Sequence, residues 1–321
     1  MGNAFVAVAD DEQAIFYNPA GLAGAKKISL NLGAVDLDVS NELVDGYSEL
    51  SKSLSNVGLS SINSFIGKQE YARATAASTL VLPGFGIAAL YDQQIALRLK
   101  NLAFPQGQLG VQTTYGAQIG FGTSLLKKRN ASNGDLRIGV AAKMLYRAGG
   151  YQNLTLTQLV TLDTASITQN LTNFGIGYGV DTGLQYVRPF KKKFTLMGGL
   201  SLTDIGNTSF STGADPIVSN LTLGVAGRYE TKGFRATMAY DFAHVFDSAD
   251  WRKKSHLGLE LGLPVLSLYA GLNQVSFTYG AGIDLWLLKL MYVSYAEEQS
   301  SAAGLNAERR MMIHLALKVE I

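Results

Sequence analysis

LGVQTTYGAQIGFGTSL, residues 109–125, places Leu109, Val111, Tyr115, Ile119, Phe121 and Leu125 at one parity. Gly110, Gln112, Thr114, Gly116, Gln118, Gly120, Gly122 and Ser124 take the other. Side chains of an extended strand alternate between two faces, so this stretch has one large apolar face and one of glycine and small polar groups. Strands of soluble domains rarely run this long, whereas a strand tilted across a bilayer does.

The same alternation recurs in both directions along the chain. Leu136, Ile138, Val140, Ala142, Met144 and Tyr146 alternate with Arg137, Gly139, Ala141, Lys143 and Arg147. Ile176, Tyr178, Val180, Leu184 and Tyr186 oppose Gly175, Gly177, Gly179, Asp181, Gly183 and Gln185. Phe234, Ala236, Met238, Tyr240 and Phe242 oppose Arg235, Thr237 and Asp241, and Leu257, Leu259, Leu261 and Leu263 oppose Gly258, Glu260 and Gly262. In a water-soluble barrel the apolar set would point inward and be limited by the volume there. Here the apolar residues are large and the small or charged ones numerous, which suits apolar-out packing against lipid. The expected fold is all-β: a transmembrane antiparallel β-barrel.

Clusters of Gly, Pro, Asn and Lys divide the chain into about fourteen strands. They start near residues 27, 72, 85, 109, 135, 174, 194, 217, 233, 254, 266, 275, 288 and 308. Short turns fall near Pro83-Gly84, Lys127 to Gly134, Phe190 to Lys193, Thr231-Lys232, Pro264 and Trp286-Leu287. The alternate connections are long: 40–71, 149–173, 206–216, 247–253 and 299–307. Short periplasmic turns and longer external loops are the asymmetry expected of a bacterial barrel, and they place both termini on the periplasmic side. Phe85, Phe190, Phe194, Phe234 and Trp286 near the short turns, with Tyr146, Tyr240, Phe242 and Trp251 towards the long loops, read as two interfacial girdles. The last strand, Met311 to Ile321, must pair with the first, Ile28 to Val39, because an open edge in lipid leaves backbone groups unsatisfied. Parity in that first strand switches around Gly33, which predicts a bulge.

Composition agrees with a wall covered by lipid. The chain has 321 residues, is 47% hydrophobic and only 16% charged, whereas soluble domains carry about 25% charged residues. No helical span of roughly 18 apolar residues occurs: Ala74–Tyr91 and Leu261–Ile283 are broken by Pro83-Gly84 and Pro264 and read as strand pairs. A net charge of +2, with no basic block beyond Lys191-Lys192-Lys193, points away from nucleic acid as a partner. No charged segment followed by an apolar run opens the chain, so residue 1 is expected near a processing site.

Residues 2–24, GNAFVAVADDEQAIFYNPAGLAG, depart from the strand pattern. Gly2, Ala4, Val6, Ala7, Ala9, Asp10 and Asp11, then Ala14, Ile15, Asn18, Pro19, Ala20, Gly21 and Leu22, resemble the segment preceding the first strand in the long-chain fatty-acid transporter (FadL-type) family and its PorV-like relatives. The resemblance implies a fourteen-stranded barrel whose lumen is closed by an N-terminal hatch, residues 1–25, ahead of the barrel proper, residues 26–321. In FadL-type members it also implies passage of hydrophobic molecules from an external groove towards a lateral opening. The hatch residues carried over are Asp10, Asp11, Asn18, Pro19, Ala20 and Gly21. Asn18-Pro19 makes a turn and Gly21 allows close backbone approach. Asp10, Asp11 and Glu12 are expected to pair with inward charges among Arg137, Lys143, Arg147, Arg228 and Arg235. Such a segment either fills the lumen or moves as a gate.

In the loop after the first strand, Leu43, Tyr47, Leu50, Leu54 and Val57 recur at helical spacing and form a candidate external face for a ligand or partner. The three histidines, His244, His256 and His314, lie on or beside different strands, and there is no cysteine, so no metal site, cofactor or catalytic constellation is expected. His244 and Asp241 read as an interfacial pair, and Gly175, Gly177 and Gly179 as a smooth inner wall rather than a dinucleotide loop. The expected role is a non-enzymatic channel of the bacterial outer membrane, surrounded by lipid, for passive uptake of hydrophobic or amphipathic small molecules such as long-chain fatty acids. The alternative is a PorV-like docking partner or shuttle for a secretion-system protein. The inward residues are mostly glycine, small polar or charged, which argues against a uniformly apolar tunnel.

Overall fold

A computed structural model describes residues 1–46, 67, 69–100, 106–126, 134–154 and 173–320. One antiparallel sheet of fourteen strands closes on itself. The strands are β1 (Ser29–Ser40), β2 (Gln69–Leu82), β3 (Phe85–Lys100), β4 (Gln106–Ser124), β5 (Asp135–Leu154), β6 (Gly175–Lys191) and β7 (Phe194–Thr203). They continue with β8 (Asn220–Thr231), β9 (Phe234–Phe242), β10 (Ser255–Gly262), β11 (Leu266–Asn273), β12 (Ser276–Leu285), β13 (Leu288–Glu298) and β14 (Ala307–Glu320). Each strand pairs with its sequence neighbours. The seam is β1 on β14, running from Ser29 opposite Glu320 to Ser40 opposite Arg310.

The alternation produces an inverted wall. Ile119, Val140, Val225, Met238 and Ile313 stand exposed on the outside, while Gln118, Asp181, Gln185 and Asp241 are buried on the inside. This is the pattern of a barrel whose outer solvent is lipid, and it makes the chain an outer-membrane-type barrel on physical grounds. Aromatic rings collect at the short-turn rim, where Phe190 meets Phe194 and Phe85 meets Phe121. Gly84 and Gly233 take positive φ in two-residue turns, a conformation glycine adopts without steric cost.

The bulge expected near Gly33 is present. Register shifts between Asn31 and Gly33 against β14, and between Asn31 and Ala34 against β2. Before it Ser29 and Asn31 face inward; after it Ala34, Asp36 and Asp38 do, so one extra residue re-aims the rest of the strand. β2 has a weak alternation because its outward row is small. Its register sets Ala72, Ala74 and Ala76 beside Ile95, Gln93 and Tyr91 of β3.

Two boundaries differ from the sequence expectation. β5 continues to Leu154 rather than ending near residue 149, because Gly149 and Gly150 still pair with Gln112 and Val111. Residues 1 and 2 do not lie at the short-turn end: Gly2 sits against the carbonyls of Leu257 and Leu272, towards the long-loop ends of β10 and β11. Residues 41–46 are helical, so Leu43 begins the expected helix, while Tyr47, Leu50, Leu54 and Val57 lie outside the described residues.

Candidate functional site

The inward glycines mark the path of residues 1–24 across the inner wall. A β-carbon on Gly258 would come within 2.2 Å of the Met1 carbonyl oxygen, and one on Gly199 within 2.6 Å of that of Val6. Lower down, a β-carbon on Gly183 would run into Asn18 Oδ1, one on Gly139 into the Pro19 carbonyl carbon, and one on Gly122 would come within 2.7 Å of the Ala23 nitrogen. Glycine at one parity of these strands is thus the footprint of a second layer of chain. The segment enters high between β10 and β11, crosses β7 to β9, and descends over β6, β5 and β4 into β1.

Irregular backbone shut away from water must be hydrogen-bonded, and here the wall's side chains supply the partners. Asp241 accepts from the Phe5 and Val6 amides at 2.7 and 2.8 Å. Gln185 donates to the Ala7 and Ala9 carbonyls at 3.0 and 2.9 Å, Gln118 to Ile15 at 2.9 Å, and Ser201 to Tyr17 at 2.6 Å. Asn18 is fully buried and works in three directions. Its carbonyl accepts from the Ala20 amide at 3.2 Å, capping a 3-10 turn over Pro19–Gly24, and its amide donates to Val6 and Leu184 at 3.0 and 3.1 Å. Pro19 opens that turn where no amide donor is needed. Gly21 is held against the Ala9 carbonyl, where a β-carbon would come within 2.1 Å of the oxygen.

The three acidic residues of the segment form a strut. Asp10 pairs with Arg228 of β8 at 2.7 Å, and Glu12 pairs with Lys318 of β14 at 3.2 Å, six strands away around the ring. Asp11 lies between them; its carboxylate accepts from the Gln13 amide at 2.9 Å. Burial first, then the Glu12 and Asp10 carboxylates, push the Asp11 carboxyl up to about 7.

Of the inward cations expected to meet these acids, only Arg228 does. Arg137 pairs with Asp135 at 2.8 Å and donates to Gln185 at 2.8 Å, fixing the amide that holds Ala7 and Ala9. Lys143 bridges Asp181 and Asp204, each at 2.9 Å. Arg147 donates to Thr114 and to the Asp215 carbonyl, both at 2.9 Å, and lies over the Phe210 ring. Arg235 pairs with Glu260 at 2.8 Å. Acids on the same or a neighbouring strand, or in an inward loop, reach Arg137, Lys143 and Arg235 first, and Thr114 with the Asp215 carbonyl takes Arg147. Lys318, which takes Glu12, lies in the inward row of β14, and alternation along the strand carries no sign of which acid comes to it.

Gly175, Gly177 and Gly179 do not form a bare wall either. Residues 204–219 fold inward, and Thr212, Phe210 and Thr208 occupy the space above these three glycines. Asp241 and His244 are not a pair: Asp241 holds the N-terminal segment, while His244 turns to Asp247 at 3.3 Å. His256 meets Asn273 and His314 meets Asp36, at 2.8 and 2.6 Å.

Beside the segment remains a cavity of about 1220 Å³. Asp36, Arg73, Asp92, Lys289 and Lys318 line it, and it reaches Asn31, Ala34, Ala76 and Ala77, the residues flanking the broken register between β1 and β2.

No protein-family profile and no curated protein matches the sequence. Among solved structures, the toluene transporter TodX of Pseudomonas putida aligns at 13% identity and a TM-score of 0.47, over 100% of this chain and 96% of that one. The CymD monoaromatic hydrocarbon channel aligns at 10% identity and 0.48, over 100% and 96%. A FadL homologue from Pseudomonas aeruginosa aligns at 11% and 0.30, over 98% and 95%.

Proposed function

We propose that this barrel is a passive channel of the bacterial outer membrane in which residues 1–25 act as a hatch, and that it passes hydrophobic or amphipathic small molecules from the lumen sideways into lipid at the β1–β2 bulge. The observation that carries the proposal is the cavity's reach to Asn31, Ala34 and Ala77, where the ladder is interrupted and Leu32 stands 60% exposed outside. Charged groups along the lumen, among them Asp36, Arg73, Lys289 and Lys318, interrupt any continuous apolar path along the axis, so a short lateral exit is the economical route for an apolar solute. Long-chain fatty acids are one substrate of this kind, and no covalent chemistry is required.

The test is a disulfide across the bulge. Ala34 and Ala77 are register partners and the chain has no other cysteine, so Ala34→Cys with Ala77→Cys forms a single lock. Cells producing the locked barrel should take up N-phenylnaphthylamine at the background rate, with uptake restored by reductant. Uptake indifferent to the lock would rule out the lateral route.

One observation favours the second reading, docking of a secretion-system protein. Phe246, Trp251 and Leu305 are 71%, 66% and 76% exposed on the long-loop side. Their loops are held rather than loose: Glu298 accepts from the Gly304, Leu305 and Asn306 amides at 2.7, 3.1 and 2.8 Å, and Asp250 from Ala303 at 3.3 Å. Co-purification of one stoichiometric partner, abolished by Trp251→Ala with Leu305→Ala, would move the assignment to docking.

A further inference from the structure

A second cavity, of about 470 Å³, opens at the long-loop end between β2–β5 and β13–β14. It adjoins the lumen cavity, with which it shares Arg73 and Glu297, but lies away from the β1–β2 bulge, and its walls follow from strand register. Gln69, Arg98 and Gln108 are cross-strand neighbours on β2, β3 and β4 and form an upper row. Arg73, Gln94 and Gln112 form a lower row, four residues down each strand, which is roughly 13 Å at the rise of a strand. Between the rows Tyr71, Ala96, Gly110 and Tyr151 lie side by side. Ala96 and Gly110 leave a trough, and the Tyr151 ring lies down into it, so that a β-carbon on Gly110 would come within 2.7 Å of the ring. Tyr151 is 67% exposed and presents its other side to the cavity.

The polar groups are pre-set. Gln94 donates to Gln112 at 2.7 Å, Arg73 is paired with Asp92 at 2.5 Å, and Arg310 is paired with Glu297 and Glu308 at 2.9 and 3.1 Å while stacked on Tyr71. Two of the three arginines lining the cavity, Arg73 and Arg310, are thus already held by carboxylates, of which Glu297 also lines it. Among the described residues no carboxylate pairs with Arg98, which lines the cavity beside Gln69 and Gln108. An alkyl chain laid in the trough would cover glutamine amides and guanidinium groups without satisfying them, at a cost for each. A ligand with an apolar face and a rim of hydroxyls would not, because glutamine both donates and accepts and arginine donates through a planar fork. We infer that this mouth pocket binds a pyranose sugar, with the C–H face of the ring on Tyr151 and its hydroxyls on the glutamine and arginine rows.

The test is saturation-transfer NMR on the full chain in a detergent without a sugar headgroup, with maltose and chitobiose as probes. At least one sugar should receive saturation at its ring protons. Binding should weaken about tenfold or more in Tyr151→Ala and in Gln112→Leu, and persist in Tyr151→Phe, which keeps the ring. Heat-modifiable migration verifies that each variant is folded; if Tyr151→Ala is not, the contrast between Tyr151→Phe and Gln112→Leu decides. No transfer to either sugar, or transfer undiminished in Gln112→Leu, would overturn the inference.

Discussion

Gly139→Ala tests whether the glycine rows seat the N-terminal segment. The new β-carbon would lie 2.2 Å from the Pro19 carbonyl carbon and 2.3 Å from the Ala20 nitrogen. Carbon atoms rest at about 3.5–4.0 Å, so the Pro19-Ala20 peptide must retreat by roughly 1.5 Å, and as backbone it cannot swing aside as a side chain would. That retreat breaks or stretches the bonds from Asn18 to Leu184 at 3.1 Å and from Gln118 to Ile15 at 2.9 Å. At about 0.5–1.5 kcal/mol each, with about 1–3 kcal/mol for overpacking, the seated state loses on the order of 2–6 kcal/mol. The population of unseated segment then rises from roughly 30-fold to roughly 20,000-fold. The ladder survives, since Gly139 keeps its pairing to Gly122 and Gly183. The assays are single-channel conductance in planar bilayers and protease cleavage within residues 1–25. Gly198→Ala, whose β-carbon meets nothing within 4 Å, is the control. A Gly139→Ala barrel as silent and as protected as the control would refute the seating argument.

Lys318→Met should expose residues 1–25 to protease more than Arg228→Met does. Glu12 is 6% exposed in its pair with Lys318, whereas Asp10 is 43% exposed in its pair with Arg228 and is screened by water. Asp11 sits in the segment with its carboxyl raised to about 7, by burial first and then by Glu12 and Asp10, with Lys289 opposing. A raised acid contributes stability that is complete below its ordinary value of about 4 and is lost as pH climbs through about 7. Protection of the segment should therefore decline over that interval, and Asp11→Asn should flatten the decline; a profile unchanged by the substitution would count against it. Glu298→Gln weakens the acceptor for four amides of residues 299–306, so amide exchange there should speed up about tenfold while that of β13 stays slow.

Nearly all of the wall was legible because lipid outside and polar filling inside force opposite chemistry onto alternate residues. β4 shows this most plainly, with Tyr115, Ile119 and Phe121 outside and Gln112, Thr114 and Gln118 inside. The bulge at Gly33 was legible for the same reason, since an extra residue flips parity. β2 was faint because, in its middle, Ala72, Ala74 and Ala76 outside differ little in size from Thr75 and Ala77 inside.

Partnership inside the lumen was not legible, and the reason is topological. Alternation tells which side a residue faces but not its height or its neighbour across an enclosed space. Asp10 could have met any inward cation; Arg137, Lys143 and Arg235 were already taken by Asp135, Asp181 and Glu260 on their own or adjoining strands. The inward glycines, in contrast, did carry the information. Alternating glycine on a face that need only be polar is unexplained by water, since serine or threonine would serve and would stiffen the strand. It is explained by backbone lying on backbone, at Gly183 and Gly139 beneath Asn18 and Pro19 and at Gly175 and Gly177 beneath Thr212 and Phe210. A run of inward glycines in a barrel therefore marks where a second layer of chain rests, and substitution along that run acts on the filling before it acts on the wall.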